Sequence, residues 1–238
     1  MSSKTHCIIL AGGLGTRLKS VLPDKPKCLA PVGNGTFLEK QILFLSSLGV
    51  ERFTLSLGYG HLLVEREIDK LRQRYPFHID SIVEGHQLGT GGAVWNAMAS
   101  LGVPEALVVN GDTFLDGNLR GMLHPLSSLG EKVEMIRMAL VEVEDSTRFG
   151  GVNLSNGRVL SFIEKGLSQS RLINAGMYRL SEKIFYLQPV GSNFSLESDI
   201  FPKYAAAGVL SSFLVDGCFI DIGVPEDYFK FCELQKSS

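Results

Sequence analysis

The chain has 238 residues, of which 45% are hydrophobic and 20% are charged, so it suits one globular domain with a full hydrophobic core. The 23 basic and 25 acidic residues give a formal net charge of −2 and are scattered along the chain, which disfavours a nucleic-acid-coating protein. No stretch approaches the ~20 apolar residues that cross a bilayer. The start of the chain carries no secretory signal pattern either, and we therefore expect a cytoplasmic protein without a membrane partner.

The first half of the chain alternates between strand-like and helical segments. Thr36 and Glu39 have the S/T-x-x-E spacing in which a hydroxyl and a carboxylate cap the start of a helix, and Gly49 is placed to end that helix. Pro76 breaks a second helical pattern. The predicted strands are Lys4 to Leu10, Arg52 to Leu57, one that follows Pro76 and runs to Val83, and Ala106 to Asn110. The predicted helices are Thr36 to Gly49, His61 to Arg74 and Gly91 to Ser100.

Beyond Asn118 the strand-like segments are separated by short Gly or Asn turns instead of helices, which predicts partly antiparallel pairing. The predicted strands are Val133 to Val143, Val152 to Leu154, Arg158 to Glu164, Ile173 to Leu180 and Leu210 to Val215, and the predicted helices are Ser181 to Leu187, Leu196 to Ala206 and a last one from Pro225. The whole pattern favours a three-layer α/β domain over residues 1–238, with a mixed, mainly parallel central sheet and a small antiparallel part.

A glycine-rich segment, Ala11 to Leu18, directly follows the first predicted strand. It fits neither GxGxxG, because Leu18 stands where the last glycine is needed, nor the P-loop, because no Gly-Lys pair closes it. Backbone amides followed by the cations Arg17 and Lys27 nevertheless suit a triphosphate. Such a turn on its own is as compatible with a structural role as with a catalytic one.

Two aspartates each end a predicted apolar strand. Asp112 follows Asn110 and Gly111, and Asp221 lies within the apolar segment Phe219 to Gly223. Open α/β sheets place ligands at the carboxyl ends of strands. Since Mg²⁺ takes one or two carboxylates and keeps its other positions for water and phosphate, the pair predicts a magnesium site, with a plain Asx-Gly turn as the structural alternative at Asp112.

A second glycine cluster, Glu84 to Ala93, lies between a predicted strand and a predicted helix. Glycines there would let a base or a ribose lie against the main chain, whereas the structural alternative is a helix-entry turn. In their order along nearly the whole chain, the motifs resemble those of the sugar-1-phosphate nucleotidylyltransferases. The matching segments are Gly12 to Leu18 with Lys27, Leu88 to Ala93, Asn110 to Asp112, Glu164 with Lys165, Asn174 to Gly176, and Phe219 to Gly223.

The sequence departs from the family pattern at Cys28, where the family commonly has proline after the signature lysine. The resemblance implies a Rossmann-like nucleotidyltransferase fold, with a nucleotide-binding half at about 1–117 and a sugar-binding half at about 118–238. It also implies GTP and a sugar 1-phosphate as substrates, Mg²⁺ as the cofactor, and no nucleic-acid partner. The oligomeric state stays open.

The resemblance further assigns roles to individual residues. The catalytic residues are Arg17, Lys27 and Lys165; the nucleotide-binding residues are Leu10, Ala11, Gly12, Gly13, Gly15, Thr16, Glu84, Gln87, Gly89, Thr90 and Gly111; the sugar-binding residues are Gly150, Glu164 and Asn174; and the metal ligands are Asp112 and Asp221.

Three further segments, 15–21, 148–152 and 219–228, are similar to the branch of the family that transfers GMP from GTP to a heptose 1-phosphate for surface-glycan synthesis, in capsule or lipopolysaccharide. The alternatives are a guanylyl- or uridylyltransferase of mannose or glucose 1-phosphate, and a non-catalytic regulator that binds sugar nucleotides. The presence of every phosphate and metal residue argues against the regulator.

Overall fold

The structure of the protein is a computed structural model that describes residues 5–13, 18, 21–23, 25–129, 131–164, 166 and 170–236. Its strands are β1 (His6–Ala11), β2 (Pro31–Val32), β3 (Gly35–Thr36), β4 (Arg52–Leu57), β5 (His78–Val83), β6 (Glu105–Asn110), β7 (Thr113–Leu115), β8 (Ser128–Leu129), β9 (Lys132–Val133), β10 (Ile136–Glu142), β11 (Gly151–Ser155), β12 (Arg158–Ile163), β13 (Leu172–Ser181), β14 (Leu210–Val215) and β15 (Phe219–Asp221). Its α-helices are α1 (Phe37–Ser47), α2 (His61–Arg74), α3 (Gly89–Leu101), α4 (Arg120–Leu123), α5 (Phe201–Ala206) and α6 (Pro225–Leu234).

The chain forms two compact units, and each contains more than one segment of the sequence. The first unit comprises Met1–Gln87, Val109–Asp116 and Cys218–Ser238, and the second comprises Leu88–Val108 and Gly117–Gly217. None of the helices in the described part of the chain has the length and apolar character of a membrane span.

Parallel strands in the order β1-β4-β5 form the sheet of the first unit, with His6 opposite Arg52 and Arg52 opposite His78. The predicted helix start at Thr36 is confirmed, because the Thr36 hydroxyl accepts a hydrogen bond from the Glu39 amide at 3.2 Å. Gly49 follows α1 with a φ of +104°, a conformation that favours glycine, as the sequence predicts for the end of this helix. Helix α2 has the predicted bounds.

The first unit also contains a short antiparallel ladder that the sequence analysis does not predict. Strands β7 and β15 pair with Thr113 opposite Asp221. Apolar side chains of both strands enter a buried cluster formed by Leu18, Ala30, Val32, Phe37, Phe114, Ile220, Ile222, Tyr228 and Phe231. Because β15 and α6 pack in this cluster with Phe114 of β7, Asp221 lies close to the end of β6.

The second unit has a mixed sheet in the order β10-β14-β12-β11-β13 followed by β6. Strands β10 and β14 are parallel, whereas β11 is antiparallel to both β12 and β13, which confirms the predicted partly antiparallel pairing. The predicted strand Val133 to Val143 is interrupted, because the buried Glu134 carboxylate accepts hydrogen bonds from the Ser127 amide and the Arg137 guanidinium, both at 2.9 Å. The predicted helix Leu196 to Ala206 is a π-helical turn, Leu196–Ile200, followed by α5.

Candidate active site

An ion pair joins Lys27 and Asp112 in the first unit. Lys27 begins a short 3-10 turn, Lys27–Leu29, and Asp112 lies just beyond the end of β6. The Lys27 Nζ donates to Asp112 Oδ2 at 2.9 Å, and the two side chains are 16% and 34% exposed. An ammonium group carries three donors, and this bond uses one of them. The pair is therefore a partly exposed cation and anion at the carboxyl end of a strand.

Asp221 ends β15, and Asp112 directly precedes β7, the strand that pairs with β15. The Ile222 amide donates to the Asp112 carbonyl oxygen at 2.9 Å, so the main-chain segments that carry the two carboxylates are hydrogen-bonded to each other. The Gly223 amide donates to Asp221 Oδ1 at 2.7 Å and orients that carboxylate. Two carboxylates from neighbouring strand ends match the donor set that Mg²⁺ takes from proteins. The residues present thus fit a divalent cation.

Main-chain segments approach each other closely at the glycines around this site. The Gly111 amide donates to the Leu10 carbonyl oxygen at 2.9 Å, and a Cβ atom at Gly111 would lie 2.6 Å from that oxygen. A Cβ atom at Gly12 would lie 3.1 Å from Glu84 Oε1 and 3.2 Å from the Gly58 amide nitrogen. These glycines therefore permit β1, the end of β5 and the end of β6 to meet.

Gly111→Ala is expected to destabilise the protein by about 1–3 kcal/mol, because the added methyl group must push the main chain of Leu10 away from position 111. Chemical denaturation measures this loss. Gly85→Ala is the matched control, since a Cβ atom at Gly85 has no neighbour within 4 Å and Gly85 has no positive φ. Equal stability of the two variants would contradict the importance of the close approach at Gly111.

Glu84 follows β5 and lies close to the glycine segment after β1. Its carboxylate accepts a hydrogen bond from the Ser56 hydroxyl at 3.1 Å, and its amide donates to the Leu57 carbonyl oxygen at 2.8 Å. Strand β4, which carries Ser56 and Leu57, therefore orients Glu84 toward the end of β1. The predicted nucleotide residues Leu10, Ala11, Gly12, Glu84 and Gly111 come together in the first unit.

Cys28, the residue that departs from the family pattern, follows Lys27 in the chain and is buried. Burial, reinforced by the nearby Asp112 carboxylate, raises the pKa of the Cys28 thiol to about 12. A thiol with such a pKa is neutral at physiological pH and is neither a nucleophile nor a metal ligand. Cys28 therefore acts as a small apolar side chain, and the structure records it as a free thiol.

In the second unit, the glycine cluster that begins α3 packs against a distant segment of the chain. The amides of Gly91 and Gly92 donate to the Phe194 carbonyl oxygen at 3.0 and 3.2 Å, and a Cβ atom at Gly91 would lie 2.4 Å from the Phe194 ring. The Thr90 hydroxyl donates to Glu197 Oε2 at 2.6 Å and accepts from the Leu196 amide at 2.9 Å. Packing alone therefore explains Gly91 and Gly92, while Gly89 and Thr90 form the first turn of α3.

The three predicted sugar residues lie at one end of adjacent strands in the second unit. Gly151 is opposite both Ile163 and Ile173, so the neighbouring residues Gly150, Glu164 and Asn174 fall in one row across β11, β12 and β13. The Asn174 amide nitrogen donates to the Tyr178 hydroxyl at 2.8 Å, and the Asn174 side-chain oxygen accepts from the Gly176 amide at 3.0 Å. These two bonds hold the Asn174 side chain in one orientation.

The remaining predicted site residues either lie in loops or fall outside the described part of the chain. Gln87 lies between β5 and α3, and Gly13 follows Gly12 with open space around its Cβ position. The residues that lie outside the described part are Gly15, Thr16, Arg17 and Lys165. Sequence reasoning missed Gln41, whose amide contacts the main chain on both sides of Asp112, because a glutamine within a helix carries no distinctive motif.

Comparison with known families identifies the class of protein. Residues 6–237 match the family described as Nucleotidyl transferase. The chain belongs to this family. This nucleotidyl transferase is 34% identical over 225 residues to the D-glycero-alpha-D-manno-heptose 1-phosphate guanylyltransferase of Aneurinibacillus thermoaerophilus, which covers 94% of this chain and 96% of that protein. It is 36% identical over 227 residues to the protein of the same name from Campylobacter jejuni, with 95% and 98% covered.

The fold of this nucleotidyl transferase is also that of solved relatives, which confirms the predicted mixed α/β fold. HddC from Yersinia pseudotuberculosis superposes with a TM-score of 0.82 at 39% sequence identity, covering 97% of this chain and 99% of that one. A second structure of that protein, complexed with GMP-PN, gives a TM-score of 0.81 at 38% identity with the same coverage. Nucleotidyl transferases of this family generally use a divalent metal ion.

Proposed function

We propose that this nucleotidyl transferase transfers GMP from GTP to D-glycero-alpha-D-manno-heptose 1-phosphate and releases pyrophosphate. The observation that carries the proposal is its 34% and 36% identity, over more than nine-tenths of both chains, to two proteins of that name. The structure of HddC with GMP-PN gives independent support for a guanine nucleotide. The product, GDP-heptose, would serve the synthesis of surface glycans such as capsule or lipopolysaccharide, and the reaction would take place in the cytoplasm, where GTP is made.

In the proposed reaction, a phosphate oxygen of the sugar 1-phosphate attacks the α-phosphorus of GTP. A new P–O bond forms, the bond between the α-phosphorus and the bridging oxygen breaks, and pyrophosphate leaves with that oxygen and its electron pair. A phosphate monoester has its second pKa near ~6, so the attacking oxygen is already anionic at neutral pH and needs no general base. The obstacle is repulsion between two anionic substrates.

The residues assigned to catalysis would therefore neutralise and position phosphate charge. Lys27 supplies an ammonium group at the end of β6, where Asp112 holds it at 2.9 Å. Arg17 suits a bidentate contact with phosphate oxygens because of its planar fork, and Lys165 suits a point contact with the sugar phosphate. Main-chain amides of the glycine segment from Gly12 to Thr16 would add further donors to the triphosphate.

Mg²⁺ is the metal we propose, and Asp112 and Asp221 would hold it. When bound, a divalent cation neutralises phosphate charge and stabilises the charge that develops during transfer. The hydrogen bond from Ile222 to the Asp112 carbonyl joins the main-chain segments that carry the two acidic residues, and the Gly223 amide donates to the Asp221 carboxylate. These contacts support the assignment of Asp112 and Asp221 as the two ligands.

The remaining predicted residues are proposed to contact the nucleotide and the sugar. Glu84, Gln87, Gly89 and Thr90 would contact the base and ribose of the nucleotide. Gly150, Glu164 and Asn174 would contact the sugar, and their common row across three strands supports this assignment. Strong contacts with the sugar are expected to come from the polar side chains of Glu164 and Asn174, because Gly150 offers only its main chain.

Pyrophosphate release is the expected result when purified protein meets Mg²⁺, GTP and D-glycero-alpha-D-manno-heptose 1-phosphate. Release should require both substrates and should stop when a chelator removes the metal. A panel with ATP, UTP and CTP, and with mannose 1-phosphate and glucose 1-phosphate, tests the choice of base and sugar. Release with another nucleotide and sugar phosphate would show that the proposed substrates are wrong. No release with any pair would favour the non-catalytic regulator.

A further inference from the structure

Gln41 is a buried polar residue of α1 whose side chain contacts the turn that carries Asp112. The residue is 2% exposed. Its Nε2 donates to the Asn110 carbonyl oxygen at 2.9 Å and to the Thr113 carbonyl oxygen at 2.7 Å. These two carbonyl groups lie on either side of Gly111 and Asp112, so a single amide group joins both ends of the turn to the helix.

The hydrogen bonds fix the orientation of the Gln41 amide. If the oxygen and nitrogen were exchanged, the side-chain oxygen would face two carbonyl oxygens and neither contact would be a hydrogen bond. In the observed orientation both N–H donors are used, and Oε1 is buried without a hydrogen-bond partner among the described residues. An unpartnered buried acceptor destabilises a protein, and the two hydrogen bonds to the turn are the contacts that offset this cost.

We propose that Gln41 is a positioning residue that holds the Asp112 carboxylate in the geometry required for metal binding and for the contact with Lys27. Three further contacts act at the same turn. The Gly111 amide bonds to Leu10, the Asp112 carbonyl accepts from Ile222, and Asp112 Oδ2 accepts from Lys27. Gln41 is the side chain that ties the turn to α1, and this tie explains why an amide is present in the apolar surroundings of the helix.

This inference rests on the proposed role of Asp112, and the test uses Gln41→Leu because leucine has a similar volume and no hydrogen-bond donor. We expect Gln41→Leu to lower kcat by on the order of 10- to 100-fold, since a small misplacement of a catalytic group has that effect. KM for the sugar 1-phosphate should change much less. A second readout is Mn²⁺ binding in the presence of GTP, measured by electron paramagnetic resonance, which should weaken in Gln41→Leu.

Ile42→Val is the matched control, because Ile42 is fully buried in the same helix and its truncation lowers stability without touching the turn. Both variants should fold, and only Gln41→Leu should lose Mn²⁺ affinity and kcat. If the two variants keep equal kcat and equal Mn²⁺ affinity, Gln41 is only a packing residue and the inference is wrong. If Asp112→Asn itself retains full activity, the proposed role of Asp112 fails instead, so the two failures are distinguishable.

Discussion

Asp112→Asn is expected to lower kcat by about 10²–10³-fold or more, which is the effect of removing one contact that stabilises charge in a transition state. Asparagine has nearly the same shape and keeps an acceptor oxygen, so the fold should survive. The loss arises because the neutral side chain attracts a divalent cation much less strongly and no longer forms an ion pair with Lys27. Steady-state pyrophosphate release as a function of Mg²⁺ concentration measures the effect. Asp221→Asn should behave in the same way.

Asp116→Asn provides the matched control for both aspartate variants. Asp116 lies just beyond the other end of β7, where its Oδ1 accepts a hydrogen bond from the Cys218 amide at 2.6 Å. Because asparagine can accept the same bond, this variant should keep kcat and its dependence on Mg²⁺. Near-normal activity of Asp112→Asn or Asp221→Asn would remove that residue from the proposed metal site.

Lys27→Gln is expected to lower kcat by on the order of 10²-fold, because the enzyme loses a fixed cation beside the reacting phosphates. Thermal stability should change little, since ion pairs between partly exposed groups contribute only about 0–1 kcal/mol. A large loss of turnover with a small change in melting temperature would separate a catalytic role from a structural one. Pyrophosphate release and thermal denaturation of the same preparation give both quantities.

Lys25→Gln is the control for the charge change at position 27, because Lys25 is exposed and lies only two residues away in the sequence. It removes the same formal charge without altering the pair with Asp112. We therefore expect Lys25→Gln to have the kcat of the original protein. Equal activity of Lys25→Gln and Lys27→Gln would contradict a specific role for Lys27.

Local signals in the sequence predict most of the helices and strands. The cap at Thr36, the stop at Gly49 and the bounds of α2 depend on residues that are neighbours in the chain, and each is confirmed. The β7–β15 ladder was not predicted, because each strand has three residues and the partners are about a hundred positions apart. Short strands with distant partners carry almost no periodic signal.

The candidate site shows the same division between local and distant contacts. A carboxylate at a strand end is visible in the sequence, and the structure confirms that Asp112 follows the end of β6. The ion pair with Lys27 joins residues 85 positions apart, and the Gln41 contacts span 69 and 72 positions. Contacts between residues so far apart in the sequence cannot be predicted from the spacing of motifs along the chain. The packing of Gly91 against Phe194 was likewise missed, because glycines in a turn look the same whether they face a ligand or another segment of the chain.

The most direct test of the proposed reaction is to identify both products formed from GTP and D-glycero-alpha-D-manno-heptose 1-phosphate in the presence of Mg²⁺. The sugar phosphate should carry an oxygen isotope label in its phosphate group, and mass spectrometry should follow the label. Attack by the sugar phosphate on the α-phosphorus of GTP predicts labelled GDP-heptose and unlabelled pyrophosphate in equal amounts. Pyrophosphate formed together with GMP and no GDP-heptose, or label in the pyrophosphate, would contradict the proposed reaction.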